Sequence, residues 1–117
     1  MSIYKVINLS YLNDIADGDK EFIREILGIF VDQMPGEEIR LREAVAAEDW
    51  QMVRNVAHKV KSSTGNLGIK KAYDNFAEIE ERAQKKLNLD TLPALIEETL
   101  ELCRLAMGEV DDVLKNL

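Results

Sequence analysis

The segment AHKVKSSTGNLG, residues 57–68, contains the only histidine in the chain, His58. An imidazole titrates close to neutral pH, so a large share of it is neutral at pH 7 and can act as a nucleophile on a ring nitrogen. Lys61 follows one helical turn later, where an ammonium group can meet the negative charge of a group attached to the ring. Ser62 and Gly65 are small and leave the ring open to a partner. These residue types at this spacing favour a phosphoryl group carried on His58.

Other chemistries for this segment have less support, although an ordinary exposed histidine stays an open alternative. A metal site needs further ligands, and the chain has no second histidine and one cysteine, Cys103, on the apolar stripe of another helix. A hydrolase that uses Ser62 or Ser63 lacks an orienting acid on the face of His58. A kinase is excluded because the chain has neither a G-x-x-x-x-G-K-[ST] loop nor the protein-kinase motifs. A phosphoryl group must therefore come from another protein.

The residues around His58 place it on the polar side of an amphipathic helix. The residues three and four positions away are all polar: Arg54, Asn55, Lys61 and Ser62. The apolar stripe lies on the other side and comprises Val53, Val56, Ala57, Val60, Thr64 and Leu67. We therefore expect His58 to point to solvent near the middle of the helix. Arg54, Ser62 and Gly65 are predicted to form the face that a partner touches.

Apolar residues recur at intervals of three and four along the whole chain, without two-residue alternation, and this pattern predicts an all-α protein. The predicted helices cover residues 11–16, 20–47, 50–67, 69–86 and 91–115. Ser10, Asp19 and Asp49 are the predicted N-caps of the first three helices. Pro35 is expected to kink or divide the second helix, because it lacks an N–H group and its ring clashes with the preceding turn. Gly68 fits the left-handed position after the third helix.

Four long amphipathic helices with short links predict an up-down four-helix bundle, with the short first helix as an extra N-terminal element. The length of 117 residues and the 46% hydrophobic content suit a single domain over residues 1–117. The fourth helix is predicted to turn Ala72, Tyr73 and Phe76 to one apolar side. Cys103 is predicted to pack in the core.

The charge balance narrows the possible partners. The net charge is −7, with 15 Lys and Arg against 22 Asp and Glu, which disfavours binding to nucleic acid. The apolar runs are far shorter than the roughly 20 residues of a membrane span. We recognise no signal peptide and expect a stand-alone protein. A lone cysteine cannot form an internal disulfide, which fits a cytoplasmic location.

The segment around His58 resembles the signature of the histidine-containing phosphotransfer (Hpt) domain family. The matching residues are Ala57, His58, Lys61, Ser62, Ser63, Leu67 and Gly68. The upstream segment is similar to the family's pattern at Phe30, Pro35, Leu41, Ala44 and Asp49, and downstream Ile79-Glu80 resembles its Leu-Glu-like pair. The resemblance spans roughly residues 10–112. One departure is Ser62, which adds a hydroxymethyl group beside the ring where the family commonly has glycine.

The resemblance implies a phosphorelay intermediate of two-component signalling. It implies that His58, through its exposed Nε2, accepts a phosphoryl group from an aspartyl phosphate on one receiver domain and passes it to an Asp on another. It implies that Lys61 stabilises the phosphoryl group and that Gly68 and Asp49 are structural. The chain would then be a phosphoryl carrier without kinase activity of its own.

The resemblance also implies the partners, which are receiver domains of response regulators and of hybrid histidine kinases. No cofactor or metal is assigned to the chain, since the Mg²⁺ of such transfers belongs to the receiver. We expect a monomer that contacts neither nucleic acid nor membrane. Apolar surface from the first helix or from Ile69 is expected to complete a small transient interface beside the histidine. The alternative is a non-catalytic helical module that binds receivers without passing phosphate.

Overall fold

The computed structural model describes residues 4–117, and residues 1–3 of the predicted domain lie outside this part. Within residues 4–117 the chain forms five helices and no strand, which confirms the predicted all-α class. The helices are α1 (Ser10–Ala16), α2 (Lys20–Ala46), α3 (Trp50–Asn66), α4 (Lys70–Lys85) and α5 (Leu92–Lys115). None of these five helices is long and apolar enough to cross a membrane.

The four long helices form the predicted up-down bundle. Each packs against its neighbours in the chain, and α5 returns to pack against α2, while α1 lies against α2. Short links make consecutive helices antiparallel. One continuous core runs between them, built from side chains that include Leu27, Leu41, Val53, Phe76, Ile79, Ile96 and Leu100.

Side chains fix where the helices begin. The Asp19 carboxylate accepts hydrogen bonds from two backbone N–H groups in the first turn of α2, and the Asp49 carboxylate accepts one in the first turn of α3 at 3.1 Å. The predicted N-cap at Ser10 is wrong, because α1 already includes Ser10 and has no side-chain cap at Leu9. Instead the Asn8 side chain accepts the Ser10 N–H at 3.0 Å.

Pro35 does not divide the second helix, which runs unbroken from Lys20 to Ala46. The proline removes one intrahelical hydrogen bond. Pro35 is exposed, so this bond is lost on the solvent side, where water can replace it, while Met34 and Glu37 on either side stay buried. The tertiary contacts of the buried face therefore hold both halves in one helix.

Of two side chains predicted to face the core, Cys103 is buried and Tyr73 is exposed. Cys103 is buried as predicted, and burial, aided by the negative charge of Glu38, raises the pKa of its thiol to about 12. Tyr73 does not share the buried side of α4 with Ala72 and Phe76, since it is 41% exposed. It lies instead at the edge of α4 that faces α3, where its ring is close to Gly65.

The segment before α1 crosses the bundle and is attached at two places. The Glu109 carboxylate of α5 accepts backbone N–H bonds from residues 5–7. The Asn8 N–H donates to the Leu67 carbonyl at 2.9 Å, beside the turn between α3 and α4. At this crossing Gly68 has φ +66°, and a Cβ there would lie 2.1 Å from the Asn8 carbonyl oxygen. Glycine is therefore required both by the left-handed backbone and by the close approach of the chain.

Candidate functional site

Helix α3 presents His58 to solvent at the middle of the bundle. The buried face of α3 comprises Val53, Val56, Ala57, Val60 and Thr64. His58 lies on the opposite side, and its side chain is 59% exposed. The orientation expected from the sequence is therefore present in the structure.

The histidine ring is held by an acid from the neighbouring helix. The His58 Nδ1 atom lies 2.8 Å from Oε2 of Glu80 on α4. An ionised carboxylate can only accept a hydrogen bond, so in the neutral ring Nδ1 carries the proton and Nε2 carries the free lone pair. This contact selects one tautomer and one ring orientation. It leaves Nε2 as the nitrogen available for chemistry.

Packing explains why Glu80 reaches the ring. The buried stripe of α4 comprises Ala72, Phe76, Ile79 and Ala83. Glu80 follows Ile79, so it lies at the edge of this stripe, on the side that meets α3, and its side chain is only 13% exposed. The carboxylate is thus enclosed between two helices whose packing fixes its position.

Lys61 binds the same carboxylate and keeps it ionised. The Lys61 Nζ atom lies 2.9 Å from Glu80 Oε1, while His58 takes Oε2. Burial alone would raise the pKa of the Glu80 carboxyl, but the hydrogen bonds from Lys61 and His58 and their charges outweigh it and lower that pKa below its usual value. Glu80 is therefore negative at neutral pH, as the hydrogen bond to Nδ1 requires.

Arg54 adds a second positive charge to this cluster. Its guanidinium NH2 lies 3.8 Å from Glu80 Oε2, and its NH1 lies 3.4 Å from the Asn55 side-chain oxygen. One carboxylate thus faces two permanent cations, Arg54 and Lys61. The surroundings of the imidazole carry a net positive charge, in a chain whose net charge is −7, and this favours an anionic group on the ring.

The small residues predicted for the docking face differ in their surroundings. Ser62 is exposed, and Gly65 is half-buried against the Tyr73 ring. Among the described residues neither Ser62 nor Ser63 hydrogen-bonds to His58, so the structure assembles no serine nucleophile with the ring. Ile69, expected as exposed apolar surface, is 1% exposed, so that expectation is wrong.

The contact of Glu80 with His58 was not predicted from the sequence. Glu80 was singled out only as part of the Ile79-Glu80 pair, and no residue of α3 itself supplies an acid to His58. The available signal was a charged residue directly after an apolar stripe position, on the edge of a helix predicted to lie next to α3. Whether such a residue meets His58 depends on which residues of α3 and α4 lie opposite each other.

The described part of the chain is thus an all-α bundle that exposes one histidine, oriented by an acid and flanked by two cations. The family model of the Hpt domain matches residues 25–116, and the chain belongs to the Hpt domain family. Such domains serve histidine phosphotransfer in two-component phosphorelays, and they interact with receiver domains.

The fold has a counterpart among solved structures. The crystal structure of histidine-containing phosphotransfer protein B (HptB) from Pseudomonas aeruginosa PAO1 matches with a TM-score of 0.86 and 22% sequence identity, over 96% of each chain. At this identity the likeness shows the fold. The comparison with curated proteins gave no sequence match.

Proposed function

We propose that His58 is the phosphoacceptor of this Hpt domain and that Nε2 is the nitrogen that carries the phosphoryl group. The observation that supports this most directly is the 2.8 Å contact between His58 Nδ1 and Glu80, because it leaves the lone pair on Nε2 in a side chain that is 59% exposed. No other described side chain combines a nucleophilic nitrogen near neutral pH with this exposure, since His58 is the only histidine.

In the proposed reaction the Nε2 lone pair attacks the phosphorus of a receiver's aspartyl phosphate. The N–P bond forms, the P–O bond breaks, and the receiver's carboxylate leaves with the bonding electrons. The ring then carries a positive charge, which the Glu80 carboxylate stabilises through the proton that stays on Nδ1. Onward transfer is the reverse reaction with a second receiver, whose carboxylate attacks phosphorus and displaces Nε2.

Lys61 and Arg54 are proposed to stabilise the negative charge of the transferred group. The Lys61 ammonium lies 2.9 Å from the carboxylate that also binds His58, and its flexible chain allows it to turn towards a phosphoryl oxygen on the ring. Arg54 is held more loosely, 3.8 Å from Glu80. The Mg²⁺ of the reaction is proposed to belong to the receiver, as the family resemblance implies.

The proposed partners are receiver domains of response regulators and of hybrid histidine kinases. Their acidic phosphoacceptor pockets complement the cations around His58. The chain is proposed to act as a monomer in the cytoplasm, where its single thiol, Cys103, would stay reduced.

The test is transfer from a panel of phosphorylated receiver domains in the presence of Mg²⁺. Intact mass is measured at neutral or higher pH, because phosphohistidine is labile to acid. We expect one phosphoryl group per chain from at least one receiver. Binding to a receiver without any uptake of phosphate would contradict the proposal and favour a non-catalytic receiver-binding module.

Replacing Glu80 with alanine is expected to lower the rate of phosphoryl uptake by about ten-fold, since the ring loses the contact that selects its tautomer and rotamer. Glu80→Gln is the matched control. Its amide oxygen can still accept a hydrogen bond from Nδ1, but it lacks the charge that stabilises the phosphorylated ring, so we expect it to restore part of the rate. The measurement is the initial rate of uptake, with nitrogen NMR of the imidazole to report the tautomer.

A role for Glu80 through its negative charge alone would give a different result. In that case Glu80→Gln would lose as much rate as Glu80→Ala, even though the imidazole spectrum of Glu80→Gln would still show the proton on Nδ1. Equal rates for all three proteins would show that the contact with Nδ1 does not influence transfer.

A further inference from the structure

An apolar cleft opens beside the candidate site, between α3 and α4. It has a volume of about 230 Å³ and is lined by Gly65, Gly68, Ile69, Lys70 and Tyr73. Tyr73 provides its exposed apolar wall, since Ile69 is almost fully buried. We call this feature the Tyr73 cleft.

The Tyr73 cleft and the histidine share one side of the same helix pair. Gly65 follows His58 by seven residues on α3, and Tyr73 precedes Glu80 by seven residues on α4. Because the two helices are antiparallel, the contact between Gly65 and Tyr73 repeats the contact between His58 and Glu80 two turns further along. Seven residues correspond to about 10.5 Å along the axis and to only ~20° around it. The cleft therefore faces the same direction as the ring.

The Tyr73 ring packs against Gly65, which has no side chain to displace it. A Cβ at this position would lie 3.3 Å from Cδ2 of the ring, closer than ordinary van der Waals contact. Gly65 is within helix α3, where glycine weakens the helix by about 1 kcal/mol relative to alanine. The absent side chain leaves an open cleft next to an exposed aromatic ring, a form typical of a binding surface rather than of a core.

The cleft is close enough to His58 that a receiver bound there would cover it. A small transient interface buries about 600 Å² on each partner, which corresponds to a disc about 14 Å in radius. Gly65 lies inside that radius from His58. The Lys70 side chain at the border of the cleft is exposed and pairs with the Asp74 carboxylate at 3.0 Å, so the cleft has a polar rim around its apolar wall.

We propose that the Tyr73 cleft receives an apolar side chain of the receiver domain that docks on His58, so that Tyr73 contributes to the choice of receiver. The proposal rests on the proposed function of His58. Tyr73 and Met52 are the large hydrophobic residues of α3 and α4 that are exposed. Met52 points about 120° away from His58 around α3, so Tyr73 is the one of the two that the docked receiver reaches.

The test compares Tyr73→Ala with the wild-type protein. The readout is kcat/KM for phosphoryl uptake from a phosphorylated receiver, divided by the rate of labelling with phosphoramidate, a small donor that needs no docking. We expect this ratio to fall about ten-fold in Tyr73→Ala, because the variant loses the aromatic wall against which the receiver's side chain packs, and buried aromatic contacts contribute more than most interface contacts. Tyr73→Phe should keep most of the ratio, since the ring is retained.

Met52→Ala is the matched control, because Met52 is also 41% exposed and lies on α3. Its ratio should equal that of the wild type. If the wild type is phosphorylated but Tyr73→Ala keeps its ratio within two-fold, the cleft has no role in docking, while the function of His58 stands. If Tyr73→Ala turns a dimer into a monomer without changing the ratio, the occupant is a second copy of the chain and the proposal is wrong. A wild type that no receiver phosphorylates would contradict the proposed function itself.

Discussion

Replacing His58 with glutamine is expected to abolish phosphoryl uptake from every receiver domain that phosphorylates the wild-type chain. Glutamine has an amide nitrogen whose lone pair is delocalised, so it cannot attack phosphorus. The chain has no second histidine to replace it. Uptake by the variant should fall below detection, at least about 10³-fold, since the variant lacks the nucleophile that the reaction needs. The measurement is intact mass together with the rate of receiver dephosphorylation.

The fold should survive this substitution. The His58 side chain is 59% exposed, and among residues 4–117 its ring hydrogen-bonds only to Glu80. Exposed substitutions of this kind change the free energy of unfolding by about 0.5 kcal/mol or less, and glutamine can still contact the carboxylate. Thermal unfolding followed by circular dichroism provides the control. A folded His58→Gln protein that still takes up one phosphoryl group would overturn the assignment of the phosphoacceptor.

The second large effect concerns Gly68. Gly68→Ala is expected to lower the free energy of unfolding by about 2–4 kcal/mol. About 1 kcal/mol follows from placing alanine at a positive φ of +66°. The rest follows because the new Cβ would lie 2.1 Å from the Asn8 carbonyl oxygen, so the segment must move and strain its hydrogen bond to Leu67. Urea unfolding measures the difference, and the Tm should fall by about 10 °C or more.

Gly18→Ala separates these two contributions. Gly18 also has a positive φ, +84°, but a Cβ there has no atom within 4 Å. The free energy of unfolding of Gly18→Ala should therefore fall only by the conformational contribution, about 1 kcal/mol. If both variants lose the same free energy, the close approach of Asn8 to Gly68 does not stabilise the bundle, and only the left-handed backbone requires glycine there.

Periodic patterns were sufficient for the fold, because each helix carries its own apolar stripe. The spacing of three and four predicts α2, α3, α4 and α5 within a few residues of their actual ends. The same pattern placed His58 on the polar side of α3, where the structure has it. Local signals were less reliable where tertiary contacts compete with them: Pro35 lies within an unbroken helix, and Ser10 does not cap α1.

Packing between helices determines whether the residues that border an apolar stripe are buried or exposed. Tyr73 is predicted on the apolar side of α4 but is 41% exposed, and Ile69, expected together with the first helix as a source of exposed apolar surface, is 1% exposed. Residues at the border of an apolar stripe can turn either way, and the neighbouring helix determines which way they turn. Because Gly65 has no side chain, the Tyr73 ring can lie against α3 at the surface.

The sequence by itself determined a four-helix bundle with an additional short helix, a solvent-facing His58 with Lys61 one turn away, and the family to which these residues belong. Only the tertiary structure brought Glu80 to within 2.8 Å of the ring and so selected Nε2 as the free nitrogen. The physical reason is that helical periodicity defines the direction of a side chain around its own axis. The partner it meets on another helix depends on the register between the two helices, and packing across the core sets that register.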